Sequence, residues 1–258
     1  MEFTDQLLRK IEIPFPPQRI ISLVPSQTEL LFDLGLASKI VGITKFCVHP
    51  AEALKTKCIV GGTKNFWFDV IDQLKPDLII GNKEENYEDG ILQLKAHYPV
   101  WMSDVNDLET ALDMLRGIAA ITGTQRVGAK LVKNIQSAFD GLTLFQRKRV
   151  LYLIWHPWMA VGTNTFIHSM LSLLGLDNVV DQCRYPELTD ENIQQLNPDI
   201  VFLSSEPFPF KQKHESQLKK LLPDIRVVPV DGEMFSWYGS RMLKIPDYFN
   251  NLYQKIDK

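Results

Sequence analysis

The sequence predicts an α/β protein of two Rossmann-like lobes with parallel sheets, joined by a long helix, with a ligand cleft between the lobes. Three observations predict this. The first is a repeat: "RIISLVPS", "LLFDLGLASKIVG" and "IDQLKPDLIIGN" return in the second half as "RVLYLIWHP", "LLSLLGLDNVVD" and "IQQLNPDIVFLS". The second is helical period in the stretch between the copies. Leu108, Leu112, Leu115, Ile118 and Ile121, and then Val127, Leu131, Ile135 and Phe139, fall three and four apart. The third is the alternation of short apolar runs with helical patterns, which builds parallel sheets with helices on both faces. The expected boundaries are 1–105 for the N-terminal lobe, 106–147 for the helical linker and 148–258 for the C-terminal lobe.

In order, extended pieces around Phe3 and from Arg9 to Ile13 suit a small hairpin, which Pro14, Pro16 and Pro17 stop. Arg19 to Val24 reads as a buried parallel strand. Ser26, with Glu29 three residues on, has the spacing of a capping box for a helix carrying Leu30, Leu31 and Leu34 and ending at Gly35. Ile40 to Thr44 is the next strand. A Gly61-Gly62 turn follows, then an aromatic loop from Asn65 to Phe68. Asp69 to Leu74 is a short helix and Leu78 to Gly81 a strand. Pro76-Asp77 and Pro198-Asp199, 122 residues apart, close the two equivalent helices. A helix to Tyr98 and a strand from Val100 to Ser103 complete the first lobe. The helical stretch from Asp107 to about Gln146 reads as almost continuous, with Thr122-Gly123-Thr124 as a candidate interruption and Thr124 as an N-cap. Strands at Arg149–Ile154 and Arg226–Val230 and a terminal helix from about Ser240 frame the second lobe.

Composition excludes several function classes. Hydrophobic content of 45% and charge of 23% are those of an ordinary globular protein. A net charge of -3 gives no basic face for nucleic acid. No apolar run reaches the roughly 20 residues that span a bilayer, so no membrane insertion is expected. The N-terminal residues have no signal-peptide h-region and no lipidation cysteine. The expected location is therefore cytoplasmic as written, or periplasmic or cell-surface where a leader has been removed. Cys47, Cys58 and Cys183 form no CxxC and read as reduced or buried thiols. No GxSxG, P-loop or GxGxxG follows a strand, and Ser26 lacks the glycines of a nucleophile elbow. The chain is expected to be no enzyme, with no catalytic residue, no catalytic cofactor and no metal site, and to be a monomer.

In parallel sheets, ligands bind beyond the C-terminal ends of the strands. Pro25-Ser26, Asn82 to Asn86, Met102 to Asp104, Trp155 to Trp158, Ser204 to Glu206 and Asp231 to Tyr238 occupy those loops. Trp101, Trp155, Trp158 and Trp237 fall at or just past a predicted strand end, and Trp67 in a loop before a helix. Such a gathering suits a large, flat, partly apolar ligand; the alternative is that some of these rings merely plug the lobes.

At this point the chain resembles a known family, the helical-backbone (class III) substrate-binding proteins of ABC importers for cobalamin, ferric siderophores and haem. "RIISLVPSQTELLFDLGL", "IVGIT", "IDQLKPDLII", the linking helix and "LNPDIVFL" carry the resemblance over nearly the whole chain. "SLVPSQTELLF" and the Trp-rich loops look closest to the cobalamin (vitamin B12)-binding branch. The resemblance implies a protein that captures cobalamin, or a related corrinoid or tetrapyrrole, between its lobes and presents it to the membrane permease. It implies ligand contacts from Pro25, Ser26, Thr63, Phe66, Trp67, Trp155, Trp158, Tyr185, Glu233 and Phe235, to which His156 and Trp237 of the same loops are added. It also implies docking on the permease through one acid of each lobe, at Asp69 and Glu191, 122 residues apart. The family pattern has Glu where Asp69 stands. Both acids begin a helix, where a carboxylate is favoured with or without a partner.

A ferric siderophore, haem or a metal is the alternative ligand. Lys64 and Lys83 are set against Glu84, Glu85, Asp104, Glu206, Asp231 and Glu233, with Arg241 the one arginine near them, and this balance disfavours an anionic ligand. His156 is a candidate axial ligand to haem iron or cobalt, or a hydrogen-bonded structural residue. A further alternative is a cytosolic carrier, sensor or enzyme on the same fold. The helical tie predicts limited lobe closure.

Overall fold

The computed structural model describes residues 1–256, which divide into two compact units. The first comprises Met1–Val105, Glu109–Ser137 and Tyr238–Leu243; the second comprises Asn106–Leu108, Ala138–Trp237 and the described residues from Lys244 onward.

In the first unit, β1 (Glu2–Thr4) and β2 (Lys10–Glu12) form the expected antiparallel hairpin. Then come β3 (Ile20–Ser22), α1 (Pro25–Asp33), β4 (Ile40–Ile43), α2 (Ala53–Thr56), β5 (Cys58–Ile59), β6 (Gly61–Gly62), β7 (Asn65–Phe66), α3 (Phe68–Leu74), β8 (Leu78–Asn82), α4 (Glu88–Lys95) and β9 (Val100–Ser103). The sheet order is β5-β4-β3-β8-β9, parallel throughout. Strands β3 and β8 in its interior, and β9 at its edge, are buried on both faces, which is why they read as continuous apolar runs. Ile21, Ile79, Val100 and Met102 pack with Ile71, Ile91 and Leu94 of the covering helices.

Three sequence expectations are corrected. The Ser26/Glu29 capping box does not form: α1 starts with Pro25 in its first turn, has Val24 as N-cap and carries no side-chain cap. Proline needs no partner for its missing N–H there. The Glu29 carboxylate turns instead to Arg241, whose Nε and Nη2 donate to it at 2.8 and 3.0 Å in a buried two-point pair. Gly61-Gly62 is a strand rather than a turn; the β6–β7 hairpin turns at Thr63-Lys64. Gly61 has φ +111°, and a Cβ there would stand 2.2 Å from the Asn65 carbonyl. Trp101 lies within β9, 1% exposed, against Gly117. The strand runs on to Ser103, so this ring is core. The interruption expected at Thr122-Gly123-Thr124 is present: the helical stretch is two helices, α5 (Leu108–Thr122) and α6 (Gln125–Asp140), separated by Gly123 at φ +74°.

The second unit continues with β10 (Arg149–Trp155), β11 (Met159–Ala160), α7 (Phe166–Leu173), β12 (Asp177–Asn178), α8 (Asp190–Leu196), β13 (Ile200–Ser204), α9 (Gln212–Leu221), β14 (Arg226–Val230), α10 (Glu233–Ser236) and, after a 3-10 turn at Ser240–Leu243 that belongs to the first unit, α11 (Ile245–Ile256). β12 and β13 pair with β10 in parallel, β14 pairs with β13 in the same sense, and β11 adds an antiparallel edge. In this unit Thr189 and Asn192 do make a capping box, for α8.

The repeat has a physical cause. In both units an arginine opens the strand and bonds the last carbonyls of the Leu-x-Pro-Asp helix: Arg19 to Leu74 and Lys75, Arg149 to Leu196 and Asn197. The aspartate of Pro-Asp answers by accepting the arginine's own backbone N–H, at 2.8 Å for Asp77 and 2.7 Å for Asp199. Each helix ends in a left-handed residue, Lys75 (φ +46°) and Asn197 (φ +42°), which turns the chain into the next strand. Register follows, with Ile20 paired to Leu78 and Val150 to Ile200.

Two outcomes are expected. Arg241→Ala, which breaks the buried two-point pair with Glu29, lowers stability by about 3–5 kcal/mol, read from denaturant midpoints; the double change Glu29→Leu with Arg241→Met recovers most of it. Asp199→Ala costs about 1 kcal/mol, and no loss at that site would remove the clamp as the cause of the repeat.

Candidate functional site

The candidate loops leave the C-terminal ends of strands or belong to the hairpin beside them. In the first unit, Pro25 and Ser26 start α1 directly after β3, with Ser26 buried and Pro25 half-buried. Thr63 and Lys64 turn the β6–β7 hairpin. Phe66 is buried against Tyr87, ring centroids 4.8 Å apart, while Trp67 before α3 is 49% exposed. Asp69 is the second residue of α3 and is exposed. Phe46, just past β4, is also half exposed and carries the Lys45 ammonium 5.1 Å from its ring centre.

In the second unit, β10 ends on Trp155, 44% exposed, whose ring meets Phe208 at 5.4 Å. His156 stacks on Phe208 at 5.9 Å and has Trp158 at 5.2 Å and His214 at 4.8 Å. Phe210 closes the cluster on Phe208 at 5.1 Å. Trp158 itself is buried, its Nε1 donating to Asp190 at 2.7 Å. His214 is also buried, and its Nδ1 accepts the Lys211 N–H at 2.8 Å, so the neutral ring carries its proton on Nε2. Burial pushes its pKa down, and the neighbouring His156, Lys213 and Lys211 charges act in the same direction. With its lone pair engaged, His214 serves as a neutral wall that fixes His156.

Beyond β13 and β14 stands an acidic group that is mostly committed internally. Glu206 accepts Ser236 Oγ and Trp237 Nε1, each at 2.9 Å. Burial pushes its carboxyl pKa up, helped by the Glu233 and Asp231 charges. Asp231 accepts the Glu233 N–H at 3.1 Å. Glu233 is half-buried. Phe235 is fully buried among Tyr152, Phe202 and Phe249, and Trp237 is buried too. Tyr185 is half-buried in a separate loop before α8. Glu191, the second residue of α8, is exposed, and the hydrogen bond with Thr189 holds its carboxyl below the usual range.

The structure thus brings Trp155, His156 and Trp158 together. Pro25, Ser26, Thr63, Phe66 and Trp67 belong to the strand-end loops and hairpin of the first unit, and Phe235 and Trp237 stand in the interior of the second. Sequence reasoning missed Phe46, Phe208, Phe210 and His214. The signal for three of them was present: Phe46 follows an apolar run at Ile40–Ile43, and "EPFPF" follows one at Ile200–Ser204.

Known proteins share this fold. Residues 20–225 match the periplasmic binding protein family. Over 206 residues the chain is 29% identical to an uncharacterized ABC transporter substrate-binding lipoprotein, YvrC, of Bacillus subtilis, covering 74% of this chain and 65% of that protein's length. Over 209 residues it is 25% identical to the vitamin B12-binding protein of Vibrio cholerae, covering 78% of this chain and 74% of that one. The solved structure of the periplasmic vitamin B12-binding protein BtuF of Vibrio cholerae superposes with a TM-score of 0.80 at 22% identity, covering 95% and 100% of the two chains. The periplasmic heme-binding protein RhuT from Roseiflexus sp. RS-1 gives 0.77 at 20%, covering 92% and 98%. At these identities the structural likeness is one of fold. The extent of the family match decides the assignment: the chain belongs to the periplasmic binding protein family.

Proposed function

We propose that this protein is the substrate-binding component of an ABC importer, and that it captures cobalamin or a related corrinoid or tetrapyrrole. It works outside the cytoplasmic membrane, in the periplasm or at the cell surface, as a monomer that binds and releases without catalysis. Among the described residues no helix is long and apolar enough to cross a membrane. The observation that carries the ligand class is the wall of Trp155, His156 and Phe208 past β10 and β13. A half-exposed indole beside stacked rings costs free energy in water and is repaid by a flat apolar ligand. The vitamin B12-binding proteins among the relatives support the corrinoid reading.

Haem is the second reading, and the ring that favours it is His156, half-buried and fixed by its aromatic neighbours. The proposed contacts are Pro25, Ser26, Thr63, Trp67, Trp155 and His156. Phe66, Trp158, Phe235 and Trp237 of the expected set are buried, and Tyr185 and Glu233 are half-buried.

We assign importer docking to Asp69 and Glu191. Both carboxylates are exposed at the second position of equivalent helices, α3 and α8.

Isothermal titration with cyanocobalamin tests the ligand. The parent binds, and Trp155→Ala and Trp67→Ala each weaken binding by about 2 kcal/mol, roughly 30-fold. No heat with cyanocobalamin, together with a shifted absorbance band on adding hemin, would transfer the assignment to haem. For docking, Asp69→Lys with Glu191→Lys abolishes stimulation of the cognate importer's ATPase in proteoliposomes and leaves ligand affinity unchanged. Undiminished stimulation would remove both acids from the interface.

A further inference from the structure

The polar loop Lys83–Tyr87, between β8 and α4, is fastened to the hairpin that turns at Thr63 and Lys64 by three contacts of different chemistry. Asn86 Nδ2 donates to the Thr63 carbonyl at 3.1 Å. The Lys64 ammonium donates to the Glu84 carbonyl at 2.6 Å. The Tyr87 ring lies on Phe66 at 4.8 Å. Asn86 reaches further than the hairpin. The same Nδ2 donates to the Leu23 carbonyl beyond β3 at 3.2 Å, and its Oδ1 accepts the Asn82 N–H at the end of β8 at 2.9 Å. One buried amide therefore joins the end of β3, the end of β8 and the β6–β7 turn. The strand beneath is shaped for it: a Cβ at Gly81 would stand 2.8 Å from Asn86 Oδ1. Asn82 completes the holder, its Oδ1 accepting the Glu84 and Glu85 N–H groups.

The hairpin held this way leads straight into Trp67, and the Leu23 carbonyl lies two residues before Pro25. A hairpin of two-residue strands has little stability of its own. Its shape must come from what it is tied to. We propose that Asn86 is a positioning residue for ligand binding: it holds the Thr63–Trp67 segment and the start of α1 in the arrangement the ligand meets, without touching the ligand itself. This rests on the functional reading above. Preorganisation of this kind is read in affinity, because a loop that must be ordered on binding takes that cost from the binding free energy. Asparagine is required because the site needs a donor for two carbonyls and an acceptor for one N–H from a single small side chain. Aspartate keeps the shape and the acceptor but sets a carboxylate against both carbonyls.

The test compares the parent, Asn86→Asp and a core control, Ile118→Ala, in the full chain. Amide hydrogen exchange is read by mass spectrometry, thermal midpoints are recorded, and affinity is measured with cyanocobalamin and with hemin. Asn86→Ser replaces the aspartate variant if that one does not fold. The expected result is at least about tenfold weaker binding by Asn86→Asp, with faster exchange at residues 60–68 and unchanged exchange at residues 200–230. The control, destabilised to a similar midpoint, keeps its affinity within about twofold. Unchanged exchange at residues 60–68 overturns the proposal whatever the ligand proves to be. Faster exchange with parental affinity overturns the role in binding. If the parent binds neither compound, the ligand reading fails, and the exchange data alone decide whether Asn86 holds the segment.

Discussion

The clamp between arginine and Pro-Asp sets the frame for all that follows. In each unit it fixes where a helix stops, which residue turns left-handed and in what register the next strand enters the sheet. A one-residue slip would move every buried side chain of β8 or β13 to the opposite face. It would also shift the loops that leave those strands, and these carry the Lys83–Tyr87 holder in one unit and Phe208 in the other. The polar bonds at the N-terminal ends of the strands thus locate the aromatic groups at their C-terminal ends. Asp69 and Glu191 are set by the same geometry, because they ride on the two clamped helices.

The strand-end loops of the two units differ in kind. Those of the first are ordered by amides: Asn82, Asn86 and Gln27, with the Ser103 hydroxyl, form one connected set under them. Those of the second are ordered by rings, with Phe208 and His214 bracing His156. Amides fix backbone direction; rings fix the level of a surface. The loops of the first unit are thus shaped by hydrogen-bond direction, and the end of β10 in the second by ring packing, in which His156 stacks on Phe208 while Trp155 tilts against it.

Much of this was readable from sequence. Fully buried strands announce themselves as unbroken apolar runs, and the duplicated Leu-x-Pro-Asp marks both clamps. What could not be read has a common cause, the choice of partner by a polar side chain across long sequence distance. Ser26 and Glu29 have ideal capping spacing, yet Glu29 pairs with Arg241, 212 residues away. Trp101 groups in sequence with the strand-end residues, although the strand expected from Val100 to Ser103 already places it inside, and its ring is buried there. Trp158 and Trp237 sit in the expected loops, but Asp190 and Glu206 draw their indole N–H groups inward. The residues that brace His156, Phe208 in the loop after β13 and His214 in α9, stand more than fifty positions later, and the pairing of β10 with β13 brings them near.

The return of Tyr238–Leu243 to the first unit bears on synthesis as well as on stability. A chain leaving the ribosome completes the strands and helices of that unit about a hundred residues before Arg241 exists. Until then the buried two-point pair between Glu29 and Arg241 cannot form. The first unit is therefore begun first but completed only at Leu243, after most of the second unit has been made. Its last segment, Tyr238–Leu243, lies about a hundred residues further along the chain than Ser137, so the unit is closed by a part of the chain made well after its strands and helices.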